Sequence, residues 1–275
     1  MYLLKSPTII PGFGISLGIS IFTLSLLVVL PFAAIVYSTL GLGWSNFWTV
    51  ILDDRVLSSI LLTLKVSFAA VLVNVVFGTM IAWVITRYRF PGRSLINALV
   101  DLPFALPTAV TGIALATLYA PKGWLGRWFE TKSAFTPLGI WIALVVVSLP
   151  FVVRAVQPVI EELNAELEEA ATTLGANPWT IFRRVVLPEL APALVMGSGM
   201  AFARATGEYG SVIFIAGNIP YVSEILPVII TGKLEMFDTA GASAVALFML
   251  IISFVILFIF NSAQWALSKR LGARV

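Results

Sequence analysis

The chain has 275 residues, of which 59% are hydrophobic and only 11% charged, and its mean hydropathy is +1.00; a water-soluble fold of this size could not bury so much apolar surface, so the chain is an integral membrane protein. Cysteine and histidine are both absent, which excludes disulfides, thiol nucleophiles, imidazole bases and the usual zinc sites, so no metal or cofactor is expected. A net charge of +3 gives no reason to expect a nucleic-acid partner.

Six apolar segments approach or exceed the length that crosses a bilayer, near residues 14–38, 57–85, 95–119, 137–153, 189–216 and 241–265. The alternating ten-residue segments of a barrel are missing, so the fold class is an all-α, six-helix polytopic bundle. Lys5 precedes the first segment, but the apolar run is too long for a signal peptide and no small-residue cleavage site follows it; it is an uncleaved span. Residues 1–56 thus hold that span and a first outer loop, 57–265 the core, and 266–275 a tail, with no internal repeat.

The third segment carries Pro103 and Pro107, four residues apart. Each removes a backbone hydrogen bond and bends or breaks a helix. Broken helices at membrane depth survive where they line a cavity or are buried in protein, so this stretch either borders a translocation path or serves packing. Asp101 precedes it, and Lys65 in the second segment is the charge expected to pair with it across the two spans.

After the fourth segment comes a polar stretch, residues 154–188. Ile160, Leu163, Leu167, Ala171 and Leu174 recur at steps of three and four, the spacing of one helix face, with Glu161, Glu162, Glu166, Glu168 and Glu169 around it. Gly175 supplies a turn, Asn177 caps a second helix with Pro178 at its first position, and Pro188 ends that helix. Trp179, Phe182, Val185 and Val186 form its apolar face, beside Arg183 and Arg184. An exposed helix-turn-helix of this kind suits docking to a soluble protein. The five glutamates disfavour an anionic lipid surface.

In the fifth segment Arg204 and Glu208 are four apart, share a helix face and can pair. Tyr209 and Ser211 follow. Ionisable groups at this depth face the bundle interior or water. A place near the pathway and a purely structural ion pair both fit. No Gly-x4-Gly-Lys-Ser/Thr pattern exists, so any ATP that drives transport is hydrolysed by another chain. With the N-terminus inside, Lys5, Arg87, Arg89, Arg93, Arg154, Arg183, Arg184, Lys269, Arg270 and Arg274 lie inside, against Arg55, Lys122, Arg127, Lys132 and Lys233 outside. This bias places both termini and the 154–188 loop in the cytoplasm.

The stretch Glu169-Ala170-Ala171, then Gly175, then Val185-Val186-Leu187-Pro188 resembles the signature loop of bacterial ABC importer permeases, with Val185 in place of Ile as the one departure. The segments Arg87–Gly92, Asp101–Val110 and Gly207–Asn218 are similar to those of sulfate/thiosulfate importer permeases, and the Gly-Glu-aromatic-Gly part is shared with molybdate permeases. The resemblance implies a MetI-like permease fold. It makes Glu169, Ala170, Ala171, Gly175, Leu187 and Pro188 the coupling element for a cytoplasmic ATPase dimer. It further implies a second homologous permease and a periplasmic or lipid-anchored sulfate-binding protein, all around a lipid bilayer. Asp101, Pro103, Pro107, Arg204, Glu208, Tyr209 and Ser211 are the candidate pathway residues. A molybdate or tungstate importer permease is the nearest alternative. An ion-coupled secondary anion transporter, using Arg204, Glu208 and Asp101 as coupling charges, is the alternative from another class, and it would have no ATPase to dock.

Overall fold

In a lipid core each backbone N–H and C=O must find its partner inside its own segment, so long runs of leucine, isoleucine, valine and phenylalanine become helices. A computed structural model describes residues 13–128 and 133–270, and among them every regular element is helical. Lys5, Lys132 and Arg274 of the charge count lie outside the described residues. Span 1 is Phe13–Leu42, span 2 Asp54–Arg87, span 4 Pro137–Glu162, span 5 Pro178–Thr206 and span 6 Thr239–Arg270. Span 3 is a pair, Arg93–Ala105 and Thr108–Tyr119, bent by 113°. Against the expected six crossings, the described residues hold five helices long and apolar enough to cross a membrane, and six where the bent pair counts as one span.

The bundle centres on spans 2, 4 and 5. Small residues let them approach: a Cβ on Gly78 would lie 3.1 Å from Val152 Cγ1, and one on Gly197 would lie 2.9 Å from the Ala155 methyl. Asn74, fully buried on span 2, donates to Val145 O at 3.1 Å and to Ser148 Oγ at 2.8 Å on span 4. Span 1 stands apart. Its second half lies on span 6, and no residue of Phe13–Leu24 is buried.

One end of the bundle carries the loop between spans 4 and 5 and is called the loop end here. The far end holds two short helices absent from the sequence reading, Trp44–Ile51 and Leu226–Glu235. They share an apolar cluster with spans 2 and 6 that includes Phe47, Ile51, Ile60, Leu226, Ile229 and Val245. Two polar ties fix the second. Leu226 N donates to Thr63 Oγ1 at 2.9 Å. Arg55 grips Glu224 with two hydrogen bonds, of 2.7 and 2.6 Å.

Four local expectations are corrected. Ile160 to Leu174 do not form one helix face, because span 4 ends at Glu162 and a new helix, Ala165–Thr173, starts after Asn164. Asn164 Oδ1 accepts from Glu166 N at 3.0 Å, and this cap starts a separate helix rather than continuing the old one. Ile160 is thus buried in span 4 while Leu167 and Leu174 are exposed. Pro188 does not end the second helix. A π-turn at Phe182–Val186, in which Leu187 N–H reaches Phe182 O, widens the helix ahead of the proline and absorbs its missing donor, so span 5 begins at Pro178 instead of 189. Span 5 also stops at Thr206, which leaves residues 207–216 as a break followed by the short turn Val212–Ile215. Finally, Asp101 does not pair with Lys65. Lys65 is exposed on span 2, and Asp101 pairs with Arg154, which lies inside span 4 because that helix runs nine residues past 153.

Candidate functional site

Two places gather the residues singled out above. The first is the break in span 3. Pro103 occupies the last turn of its first half. Leu106 and Pro107 are extended (ψ 138° and 133°), and the second half restarts at Thr108. The restart packs on the segment that follows span 5. A Cβ on Gly112 would fall 2.3 Å from Ser211 O, and one on Gly210 would fall 2.1 Å from Thr108 Oγ1, so hydrogen side chains are what permit this contact. Pro107, Tyr209 and Ser211 are thereby brought to one junction with Arg204 and Glu208.

Glu208 anchors it. The residue is 1% exposed. Its Oε1 accepts from Ser211 N and Ser211 Oγ, both at 2.8 Å, and its Oε2 is ion-paired with Arg204. Glu208 lies just past the helix end, so the pair closes across the helix terminus rather than along one continuous face. A carboxylate so enclosed is stabilised by those donors. The Arg204 side chain keeps 30% of its surface open. Tyr209 is half-buried. Asp101 lies apart from this junction, toward the loop end, in the Arg154 pair.

The second place is the loop. Asn164 caps its first helix; Gly175, at φ 80°, ends it, with Gly175 N bonded to Thr172 O at 2.9 Å and Ala176 N to Ala171 O at 3.1 Å. That six-to-one bond closes a left-handed glycine stop. Asn177 Oδ1 then caps the next helix through Thr180 N at 2.8 Å, with Pro178 in its first turn. The sequence reading had placed this turn and this cap correctly. Neither Ala165–Thr173 nor Pro178–Ile181 buries a single residue. Leu174 is 87% exposed and Trp179 68%, with the Trp179 ring stacked on Phe182 at 5.7 Å. Glu169 and Ala170 are exposed and Ala171 is half-buried. Leu187 and Pro188 sit where the π-turn hands over to the rest of span 5. The loop is tied to the bundle by Glu168, whose Oε1 meets Arg87 Nη2 at 2.5 Å. Arg87 also lies over the Trp83 ring, at 5.1 Å.

The sequence reading missed Arg154, the Arg87–Glu168 tie and the Arg55–Glu224 grip. For Arg154 a signal existed: Asn97 and Asp101 are four apart, so they share the face of span 3 that an arginine of span 4 could reach. Among the described residues no cluster of Asp or Glu could hold a metal ion.

The geometry is that of a helical bundle with one broken span, holding out a preformed loop that exposes Leu174 and Trp179. Comparison with known proteins agrees with it. Residues 74–272 match the family described as binding-protein-dependent transport system inner membrane component. The chain is 47% identical to the sulfate transport system permease protein CysT of Escherichia coli (strain K12), covering 100% of this chain and 99% of that one. It is 44% identical to the protein of the same name from Synechocystis sp., covering 90% and 87%. Among solved structures, a bacterial ABC transporter involved in the import of the acidic polysaccharide alginate superposes with a TM-score of 0.73 at 16% identity, over 92% of this chain and 94% of that chain. The MetNI methionine ABC transporter in an inward-facing form gives 0.58 at 21% identity, over 76% and 94%. The expected MetI-like fold is thus found, and the chain belongs to the family of binding-protein-dependent transport inner membrane components, the permease subunits of ABC importers.

Proposed function

We propose that this chain is one of the permease subunits of an ATP-driven importer that carries sulfate or thiosulfate across the inner membrane. The observation that carries the reading is the 47% identity over the whole chain to a permease named for sulfate transport. Membership of the importer family sets aside the ion-coupled carrier. The partners in this reading are a cytoplasmic ATPase dimer, a second homologous permease and a periplasmic or lipid-anchored sulfate-binding protein. A related alginate transporter was crystallised with its substrate-loaded periplasmic protein, which supports the last of these. The loop end faces the cytoplasm in this reading, because Arg87, Arg89, Arg93, Arg183, Arg184 and Lys269 gather there. Residues 57–265 form the permease core, with 1–56 as an added span and 266–275 as a tail.

In mechanism, Glu169, Ala170, Ala171 and Gly175 present the exposed loop to the ATPase, and Leu187 and Pro188 pass its displacement into span 5. At the other end of span 5, Arg204 and Glu208 hold the segment of Tyr209 and Ser211, which packs on Thr108 and Gly112 just after Pro107 of the broken span, so a shift of span 5 changes the junction beside the path. Arg204, with its side chain 30% exposed, is the cation an entering dianion would meet. The test uses the purified complex in vesicles. Uptake of labelled sulfate should require ATP and the binding protein, and molybdate at equal concentration should not compete. Glu169→Lys should leave the spans inserted but lower ATPase co-purification and stimulated hydrolysis by at least about tenfold, the loss expected at an interface hot spot. Full stimulated turnover in the Glu169→Lys, Gly175→Asp double variant would remove the loop from the coupling role. Competition by molybdate would remove the sulfate assignment.

A further inference from the structure

Arg154 is used by neither the junction nor the loop, yet all of its donors are engaged. Nε donates to Asp101 Oδ1 at 2.8 Å and Nη2 to Asp101 Oδ2 at 2.5 Å. Nη1 donates to Asn97 Oδ1 at 2.9 Å and to Gln157 Oε1 at 2.5 Å. The second Nη2 hydrogen reaches Asn97 O at 3.1 Å. A guanidinium has five donors in a rigid fork, and here four of them go to the first half of span 3. An arginine that receives an anion needs donors to spare, and this one has none.

The first half of span 3 has little else to hold it. Val100 is the one buried residue of Arg93–Ala105. Phe104 adds an edge-to-face contact with Phe151, 5.1 Å between ring centres at 85°. Span 4, by contrast, is continuous from Pro137 to Glu162, and two residues separate it from the loop helix. A route therefore runs from the loop through the end of span 4, past Pro158, to Arg154. From there it passes to Asn97 and Asp101, and five residues later it reaches the break at Leu106. The fork is open to solvent on one side: the Arg154 side chain is 29% exposed and that of Asp101 48%, and a cavity lined by Arg93, Ser94, Asn97 and Gln157 adjoins it. Water weakens the Coulombic part of such a pair, which leaves directional bidentate bonding as its main contribution.

We propose that Arg154 is a positioning residue for transport: it fastens the first half of span 3 to span 4 so that the two move as one body, and it carries displacement of the coupling loop to the broken-helix junction. This rests on the importer reading above. Lysine keeps the charge and loses the fork, so it cannot replace Arg154 in this role.

The absence of native cysteine makes the test direct. Ser94 and Gln157 line one cavity, one on each helix, so Ser94→Cys with Gln157→Cys can be joined by a short bifunctional thiol reagent in the complete complex in vesicles. Cross-linking yield should be the same without nucleotide and with the ATPase trapped by ATP and vanadate, a readout independent of the anion. Arg154→Lys and Arg154→Ala should each lower sulfate uptake by about tenfold while stimulated ATP hydrolysis stays within about twofold of the parent. The cross-link should restore uptake in the Arg154→Ala background. A nucleotide-dependent yield, a cross-linked parent that no longer imports, an Arg154→Lys complex that imports normally, or uptake and hydrolysis lost together without rescue would each overturn the clamp. A parent complex that hydrolyses ATP but takes up no sulfate would instead refute the substrate assignment, and the cross-linking yields would still decide the clamp.

Discussion

The loop at residues 163–177 and the junction of 105–112 with 207–215 are both interruptions between transmembrane helices, and they are built in opposite ways. In the loop every turn is made by its own residues. Asn164 and Asn177 cap the two helices through bonds two and three residues long, and no side chain in either helix is buried. A Cβ on Gly175 would touch nothing within 4 Å; only its φ of 80° calls for glycine. At the junction the shape comes from residues a hundred positions away. Gly112 has an ordinary φ, but a Cβ there would overlap the backbone of Ser211. Glu208 is buried there, and although its partners Ser211 and Arg204 are only three and four residues away, it holds the segment that packs on Gly112. A segment shaped locally keeps its form while its surface stays free for a partner. A segment shaped by distant contacts holds its form only as long as its neighbours do, so it changes shape when they move.

The hardest blow to this contrast is Glu208→Ala. It strands Arg204 and leaves the Ser211 N–H without an acceptor in a dry setting. The expected loss is about 3 kcal/mol, at the low end for breaking a buried pair, because Arg204 keeps some access to solvent. The melting temperature of the purified complex, followed by fluorescence-detected size exclusion, should fall clearly. Arg204→Ala combined with Glu208→Ala should recover part of that loss. If Arg204 also attracts the anion, the double variant assembles and still imports poorly. Unchanged melting of Glu208→Ala would mean that the junction does not depend on its buried carboxylate.

Next in size is a crossed pair of glycine substitutions. Gly112→Ala should cost about 1–3 kcal/mol as an overpacked contact, and Gly112→Asn should cost more, since the larger side chain has even less room. Gly175→Ala should cost about 1 kcal/mol for a left-handed backbone, and Gly175→Asn should cost less, because asparagine tolerates that conformation. The order of Ala and Asn thus reverses between the two sites. The same melting assay on the four variants checks it. The same order at both sites would erase the distinction between a glycine required for its backbone and one required for its size.

The two regions also differ in how far they could be read from sequence. The local features of the loop were legible: the Gly175 turn, the Asn177 cap and Pro178 in the first turn all lie within a few residues of what they control. So was the break in span 3, because proline acts on its own helix. What failed depended on tertiary context. Arg183, Arg184 and Pro188 read as part of a short separate helix ended by its proline, and only the π-turn shows that this helix is the start of span 5 at Pro178. Asp101 had two cationic candidates in its neighbourhood, and sequence spacing cannot say that span 4 rather than span 2 faces it. Leu226–Glu235 mixes Pro227, Thr231, Gly232, Lys233 and Glu235 with its apolar residues, and it is helical because Leu226 and Ile229 are buried against spans 2 and 6. The Glu208–Arg204 pair was foreseen from its spacing, but the role of Ser211 as donor follows only from the end of span 5 at Thr206.

The smallest expected effect lies at the far end, where a third turn is built as the loop is, from its own residues. Asp238, just before span 6, accepts from Lys233 Nζ at 2.9 Å and from Gly241 N at 2.9 Å. The Lys233 hydrogen bond, then the Gly241 N–H, hold its carboxyl below the usual carboxylate range. A group whose folded pKa is lowered stabilises the fold fully above its unfolded value, near 4 for aspartate. That contribution fades as the pH falls from there through the lowered folded value. The side chain is 44% exposed, so the contribution is well under about 1 kcal/mol. Melting of the parent complex between pH 7 and pH 5 should therefore match that of Asp238→Asn apart from a small constant offset, and the two curves should converge only below about pH 4. Such a small offset is what a locally capped turn predicts. A loss at Asp238 as large as the one at Glu208 would show that an exposed cap can hold as much as a buried carboxylate, and that local capping does not mark the segments whose surface is left free.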